Sequence, residues 1–136
     1  MPIFDRTTDE QPDRLLRSYG ILFWCSLILG VLAKAIYRPR IYANHINDFH
    51  IADSAPNFFF VIGIMFLMLY VYRKKGRSIT SWKMIQQGTL GALFYEFIQL
   101  ADGGTFDYFD IAASLLGAAV AYFVNQYLVE RYANID

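Results

Sequence analysis

The chain has 136 residues, of which 56% are hydrophobic and 18% charged, and its twelve Lys and Arg balance its twelve Asp and Glu. The balance lacks the net positive charge of polyanion-binding surfaces, so nucleic acid is not an expected partner. The single cysteine, Cys25, excludes an internal disulfide, a CxxC redox pair and a thiolate zinc cluster, and reads as a membrane-buried packing residue.

The charges fall in short stretches between long uncharged runs, a segregation that points to a bilayer. Ser18 to Ala33 is free of charge, and the span continues to Tyr37 if Lys34 extends its amine to the surface. The lead-in from Asp9 to Arg17 reads as a surface turn, helical at the earliest from Pro12. Its mixed charges, and Lys34 at the would-be cleavage point, favour a retained span over a secretory signal.

Ser54 to Tyr72 is uncharged, Met84 to Ala101 carries one charge, Glu96, and Ile111 to Val129 carries none. Each run approaches the roughly 20 residues that cross about 30 Å of hydrocarbon. The expected fold is therefore all-α: one integral membrane domain of four antiparallel transmembrane helices, about 18–37, 54–72, 84–101 and 109–129, joined by short connections. No internal repeat or nucleotide-binding glycine loop is present, and no cofactor is expected.

Orientation follows from the basic residues. Arg73, Lys74, Lys75, Arg77 and Lys83 crowd the connection between the second and third spans, and Arg6, Arg14, Arg17 and Arg131 lie near the termini. Both termini are expected to be cytoplasmic, in a bacterial plasma membrane. The other side collects His45, Asn47, Asp48, His50 and Asp53 before the second span, and Asp102, Asp107 and Asp110 around the last connection. For any one of these a solvated loop is an equally good explanation.

Glu96 lies about one turn inside the end of the third span, where a lipid-facing carboxylate would cost several kcal/mol, so it should face the bundle interior or a wet cavity. Gln99, three residues on, shares its face. The pair is either a candidate catalytic or binding element or a polar clasp between helices. On the fourth span, Asp107, Asp110, Ser114, Gly117, Ala121 and Val124 alternate spacings of three and four, forming one stripe that is acidic outside and small within. Gly88 and Ala92 on the third span and Ala113, Gly117 and Ala121 on the fourth predict a tight hairpin of these two helices. If the second helix begins near Ser54, Asp53 caps or precedes it, Pro56 falls in its first turn, and His50, Asp53 and Asn57 approach the same outer mouth.

These residues carry a resemblance. Glu96-Phe97-Ile98-Gln99, then Thr105-Phe106-Asp107-Tyr108-Phe109-Asp110-Ile111 and Ala113-Ser114-Leu115-Leu116-Gly117-Ala118, resemble the signature of VanZ-like membrane proteins. That family is named for a protein associated with low-level teicoplanin resistance. The resemblance covers roughly a third of the chain and implies a small multi-helix membrane protein with Glu96, Gln99, Asp107, Asp110 and Gly117 as signature positions. The chain departs from the pattern at Gly104, where family members commonly carry arginine, and at Ser114, where they carry asparagine.

Three functions stay open at this point. The first is a membrane-embedded site that binds or processes an envelope lipid or glycan precursor and affects glycopeptide sensitivity. It would use Glu96, Gln99, Asp107 and Asp110 as its polar core, with His50, Asp53, Asn57 and Ser114 as binding residues. The second is a cation- or proton-linked transporter, which four helices would form only as a homo-oligomer. The third is a scaffold whose polar residues only hold helices together. Neither a zinc-protease pattern nor an activated nucleophile is visible.

Overall fold

The computed structural model describes residues 7–77, 80–101, 103 and 107–133, with the side chains of residues 7–13, 81, 95, 99 and 133 outside that description. Every regular element among the described residues is helical: α1 (Thr7–Leu32), a π-helical segment (Ala33–Tyr37), α2 (Arg38–Ala43), α3 (Ile51–Lys74), α4 (Ser81–Ala101) and α5 (Tyr108–Ala133).

The first helix is longer at both ends than its uncharged run. It starts at Thr7, and Leu15, in the expected surface lead-in, is buried in the core on the same face as Tyr19 four residues on. It also continues past Tyr37. Pro39 has no N–H to give the carbonyl four residues back, and the helix widens just before it, the Arg38 N–H donating to the Ala33 carbonyl five residues away. The rod then runs on to Ala43.

The second long helix begins at Ile51, three residues before its expected start. His50 is in the left-handed region at φ 65°, and the Ala52 N–H donates to Asp48 Oδ2 at 2.7 Å. Asp48 thus serves the helix terminus, Asp53 falls inside the first turn, and Pro56 lies within the helix instead of opening it.

α3 is the central helix. Gly20 lies against Tyr70, Gly63 against Ser26 and Gly30 against Phe60, so α1 and α3 pack antiparallel along their length with backbones brought close by glycine. Gly88 of α4 lies against the Met65 sulfur. The core joins Leu15 and Tyr19 of α1 to Ile62, Met65, Phe66 and Leu69 of α3, Met84 of α4, and Ala118 and Ala121 of α5.

The inward stripe of α5 is present, with Ser114, Gly117 and Ala121 buried. Its neighbour differs from the expected one. A Cβ at Gly117 would come within 2.6 Å of the Phe58 carbonyl oxygen, so the tight helix pair is α5 on α3, and α4 has the smaller share of that face. Periodicity assigns a face to a helix but not the helix that covers it.

Among the described residues, three helical stretches are long and apolar enough to cross a membrane: Arg14–Ala43, Ile51–Lys74 and Tyr108–Tyr132. In α4, Lys83, Gln86, Gln87, Glu96 and Gln99 interrupt the apolar sequence. The outer surface is apolar on every long helix, with Trp24, Ile28, Phe94, Phe97, Leu116 and Phe123 turned away from the core. An exterior of this kind marks a membrane protein. Cys25 also lies on this outer surface and is not a packing residue within the bundle.

Candidate functional site

The site lies where the start of α3, the end of α4 and the start of α5 converge with α2. The loop that reaches it turns on left-handed residues at His45, Phe49 and His50, and the Phe49 N–H donates to Asn47 Oδ1 at 3.2 Å. Asp48 is occupied by the helix terminus and by the Tyr37 hydroxyl, 3.3 Å away. Asp53 is therefore the carboxylate turned towards α2. Arg38 Nη2 lies 3.1 Å from Asp53 Oδ1, the Tyr42 hydroxyl donates to that same oxygen, and His50 Nδ1 lies 3.9 Å from Oδ2. The Arg38 guanidinium also sits over the Tyr42 ring, 5.6 Å from its centroid. A cavity of about 170 Å³ opens beside this cluster, lined by Tyr42, Asn47, Asp48, His50 and Asp53 among others.

Asp107 Oδ1 accepts the Phe109 N–H at 2.9 Å and so organises the entry to α5. The Phe109 ring stacks on His50 with centroids 4.7 Å apart, which ties the start of α5 to the start of α3. One residue further, Asp110 turns inward. Asn57 is within side-chain hydrogen-bonding reach of its carboxylate, and Arg38, Asp53 and Asp107 act on it electrostatically. Its Oδ1 is buried and has no hydrogen-bond partner.

Glu96 faces the interior from α4. The residue is 2% exposed, its Oε2 has no hydrogen-bond partner, and the charges acting on it are those of Asp110 and Asp107. A buried carboxylate and a half-buried one, on adjacent helices, thus each present a buried acceptor oxygen without a partner. Buried polar atoms without partners are rare and costly, at about 1 to 3 kcal/mol each, which makes this pair the chemically expectant part of the bundle. Such oxygens accept from hydroxyl or ammonium donors, share a proton, or meet a cation.

Of the residues expected here, Glu96, Asp107, Asp110, Asn57 and Asp53 come together. His50 stands at the rim, its side chain 58% exposed. Ser114 is buried one turn deeper along α5. The Gln99 side chain lies outside the described residues, as does Asp102. Asp53 is not the helix cap that the sequence suggested: it falls inside the first turn, His50 holds the cap position, and the side chain that accepts from this terminus is Asp48, through the Ala52 N–H.

Arg38 and Tyr42 were missed as site residues. Their spacing of four on a helix was a readable signal, but the proline between them argued against a helix there. Arg38 brings a guanidinium to the acids. Among the described residues, no three His, Cys, Asp or Glu side chains converge closely enough to hold a metal ion.

Compared with protein-family models, curated proteins and solved structures, the chain matches none of them.

Proposed function

We propose that the chain is a VanZ-like membrane protein of the bacterial plasma membrane with four spans and cytoplasmic termini. In this reading its acidic site opens on the outer face and binds the polar head of an envelope lipid or glycan precursor, so altering sensitivity to glycopeptides such as teicoplanin. The observation that carries it is the pair of buried acceptor oxygens, Glu96 Oε2 and Asp110 Oδ1, neither of which has a partner. A glycan or aminoacylated head presents the hydroxyl and amine donors these oxygens lack. Arg38 at the rim suits the phosphate of a lipid-linked precursor.

The fourth span is supported by the faces of α4. Leu90, Phe94 and Phe97 are exposed on the outside of the bundle while Glu96 is turned in, the arrangement expected of a helix that meets lipid on one side. A cation- or proton-linked carrier is the second reading, favoured by the same two oxygens, and would require assembly of several copies.

The test is Glu96→Gln and Asp110→Asn, each scored for melting temperature in detergent, for co-purified lipid by mass spectrometry, and for teicoplanin sensitivity in cells. The expected result is retained stability with loss of both the lipid and the cellular effect. Unchanged sensitivity at both positions would leave only the scaffold. A proton or cation flux in liposomes, abolished by either substitution, would favour the carrier.

A further inference from the structure

A second cavity, of about 550 Å³, lies at the opposite end of the bundle, between the end of α3 and the helices α4 and α5. Arg73, which lines it, is twenty residues along α3 from Asp53, about 30 Å at the rise of an α-helix. The floor is polar but satisfied: the Tyr19 hydroxyl donates to Asn125 Oδ1 at 2.6 Å, and both residues are buried. Gln126 and Tyr122, hydrogen-bonded to each other at 3.1 Å, form a wall.

The rim is cationic. Gly76, at φ 67°, ends α3 in a left-handed cap in which its N–H donates to the Arg73 carbonyl and the Arg77 N–H to the Tyr72 carbonyl, each at 2.9 Å. This closed turn fixes Arg77 close to Arg73, and both line the cavity. Among the described residues neither makes an ion pair with an acid. Two arginines without an acidic partner, both lining a cavity of ligand-binding size, offer guanidinium donors to an anion.

The depth of the cavity is marked by Trp82 in the first turn of α4. It lines the mouth and is 66% exposed, the position an indole takes at the headgroup level of a bilayer. We infer that this cavity binds the phosphodiester headgroup of an anionic phospholipid, with Arg73 and Arg77 on the phosphate and Trp82 beside the glycerol. Gln126 supplies a neutral polar contact on the wall. The inference rests on the membrane setting alone and is independent of the acidic site.

The test uses the full chain in nanodiscs that mix phosphatidylglycerol with phosphatidylcholine, and native mass spectrometry of the lipid retained on release. Wild type is expected to retain phosphatidylglycerol at least ten-fold over phosphatidylcholine. Arg73→Gln and Arg77→Gln are each expected to lose that preference, while Lys75→Gln and Arg131→Gln, basic positions outside the cavity, keep it. Circular dichroism of each variant in pure phosphatidylcholine establishes that the helices remain. Retention untouched by the double Arg73→Gln, Arg77→Gln variant, or lost equally with Lys75→Gln, overturns the assignment in favour of diffuse surface charge. A melting temperature raised as much by millimolar inorganic phosphate as by phosphatidylglycerol overturns it in favour of a free phosphate ligand.

Discussion

Arg38 and Asp53 meet at 3.1 Å across the loop that joins the first rod to α3. The contact exists because the first helix passes Pro39 without stopping and because Asp48, not Asp53, occupies the start of α3. Its effect is to place a guanidinium beside a carboxylate that also acts on Asp110, linking the rim to the inner acids.

The strength of that contact is measurable by a double-mutant cycle of Arg38→Ala and Asp53→Asn, followed by thermal unfolding in detergent. With side chains 43% and 25% exposed, the pair should couple by about 0.2 to 1 kcal/mol. A coupling above about 2 kcal/mol would show that the pair is desolvated and holds the fold together.

Two glycine substitutions should have opposite signs. Gly117→Ala places a methyl 2.6 Å from the Phe58 carbonyl oxygen, a backbone atom that yields only if α3 and α5 separate, and should cost about 1 to 3 kcal/mol. Gly91→Ala meets nothing within 4 Å on the exposed face of α4, and should stabilise by about 0.5 to 1 kcal/mol through lost chain entropy. Melting temperatures of the two variants settle the comparison, and a stable Gly117→Ala would mean that the α3 to α5 contact is looser than described.

Tyr19→Phe removes the donor from the buried Asn125 Oδ1 and little else. Interhelical hydrogen bonds in membrane proteins contribute about 0.6 kcal/mol on average and up to about 1.7 kcal/mol, and a short, buried bond belongs towards the upper end. Ser18→Ala, which loses a partly buried contact to Tyr132 at 3.1 Å, should cost less in the same unfolding assay.

Orientation is testable by labelling. In a Cys25→Ser background, needed because Cys25 is exposed on the bundle surface, Ile46→Cys should react with an impermeant maleimide in intact cells and Lys75→Cys should not. The reverse pattern would place the acidic site on the cytoplasmic side.

The acids of the site were legible in the sequence for a simple physical reason. A carboxylate inside an apolar run has to turn inward, and the three-and-four spacing from Asp107 to Ala121 puts one face of α5 with it. The partner of that face was not legible, since periodicity says nothing about which neighbour arrives, and Gly117 met Phe58 of α3 instead of α4. The start of α3 depended on successive left-handed residues at Phe49, which has no preference for that conformation, and His50, which adopts it more readily than most residues but not often enough to be read from sequence. Arg38 was hidden by Pro39, which ordinarily ends a helix and here is absorbed by a widened turn.

That widened turn has a consequence of its own. A π-helical segment holds one residue more than the α-helix it replaces, so it is equivalent to a single insertion. Wound as a plain α-helix, the same residues would rotate everything beyond them by about 100°, carrying Arg38 and Tyr42 away from Asp53, whereas deleting Ala35 would restore uniform winding and leave the tip close to its present aim. The glycine contacts of Gly20 and Gly30, which precede the segment, would be unaffected. The stretch from Ala33 to Tyr37 therefore works as a phase setting: it takes up one extra residue, so that the charged tip keeps its aim at Asp53 while the apolar shaft keeps its register.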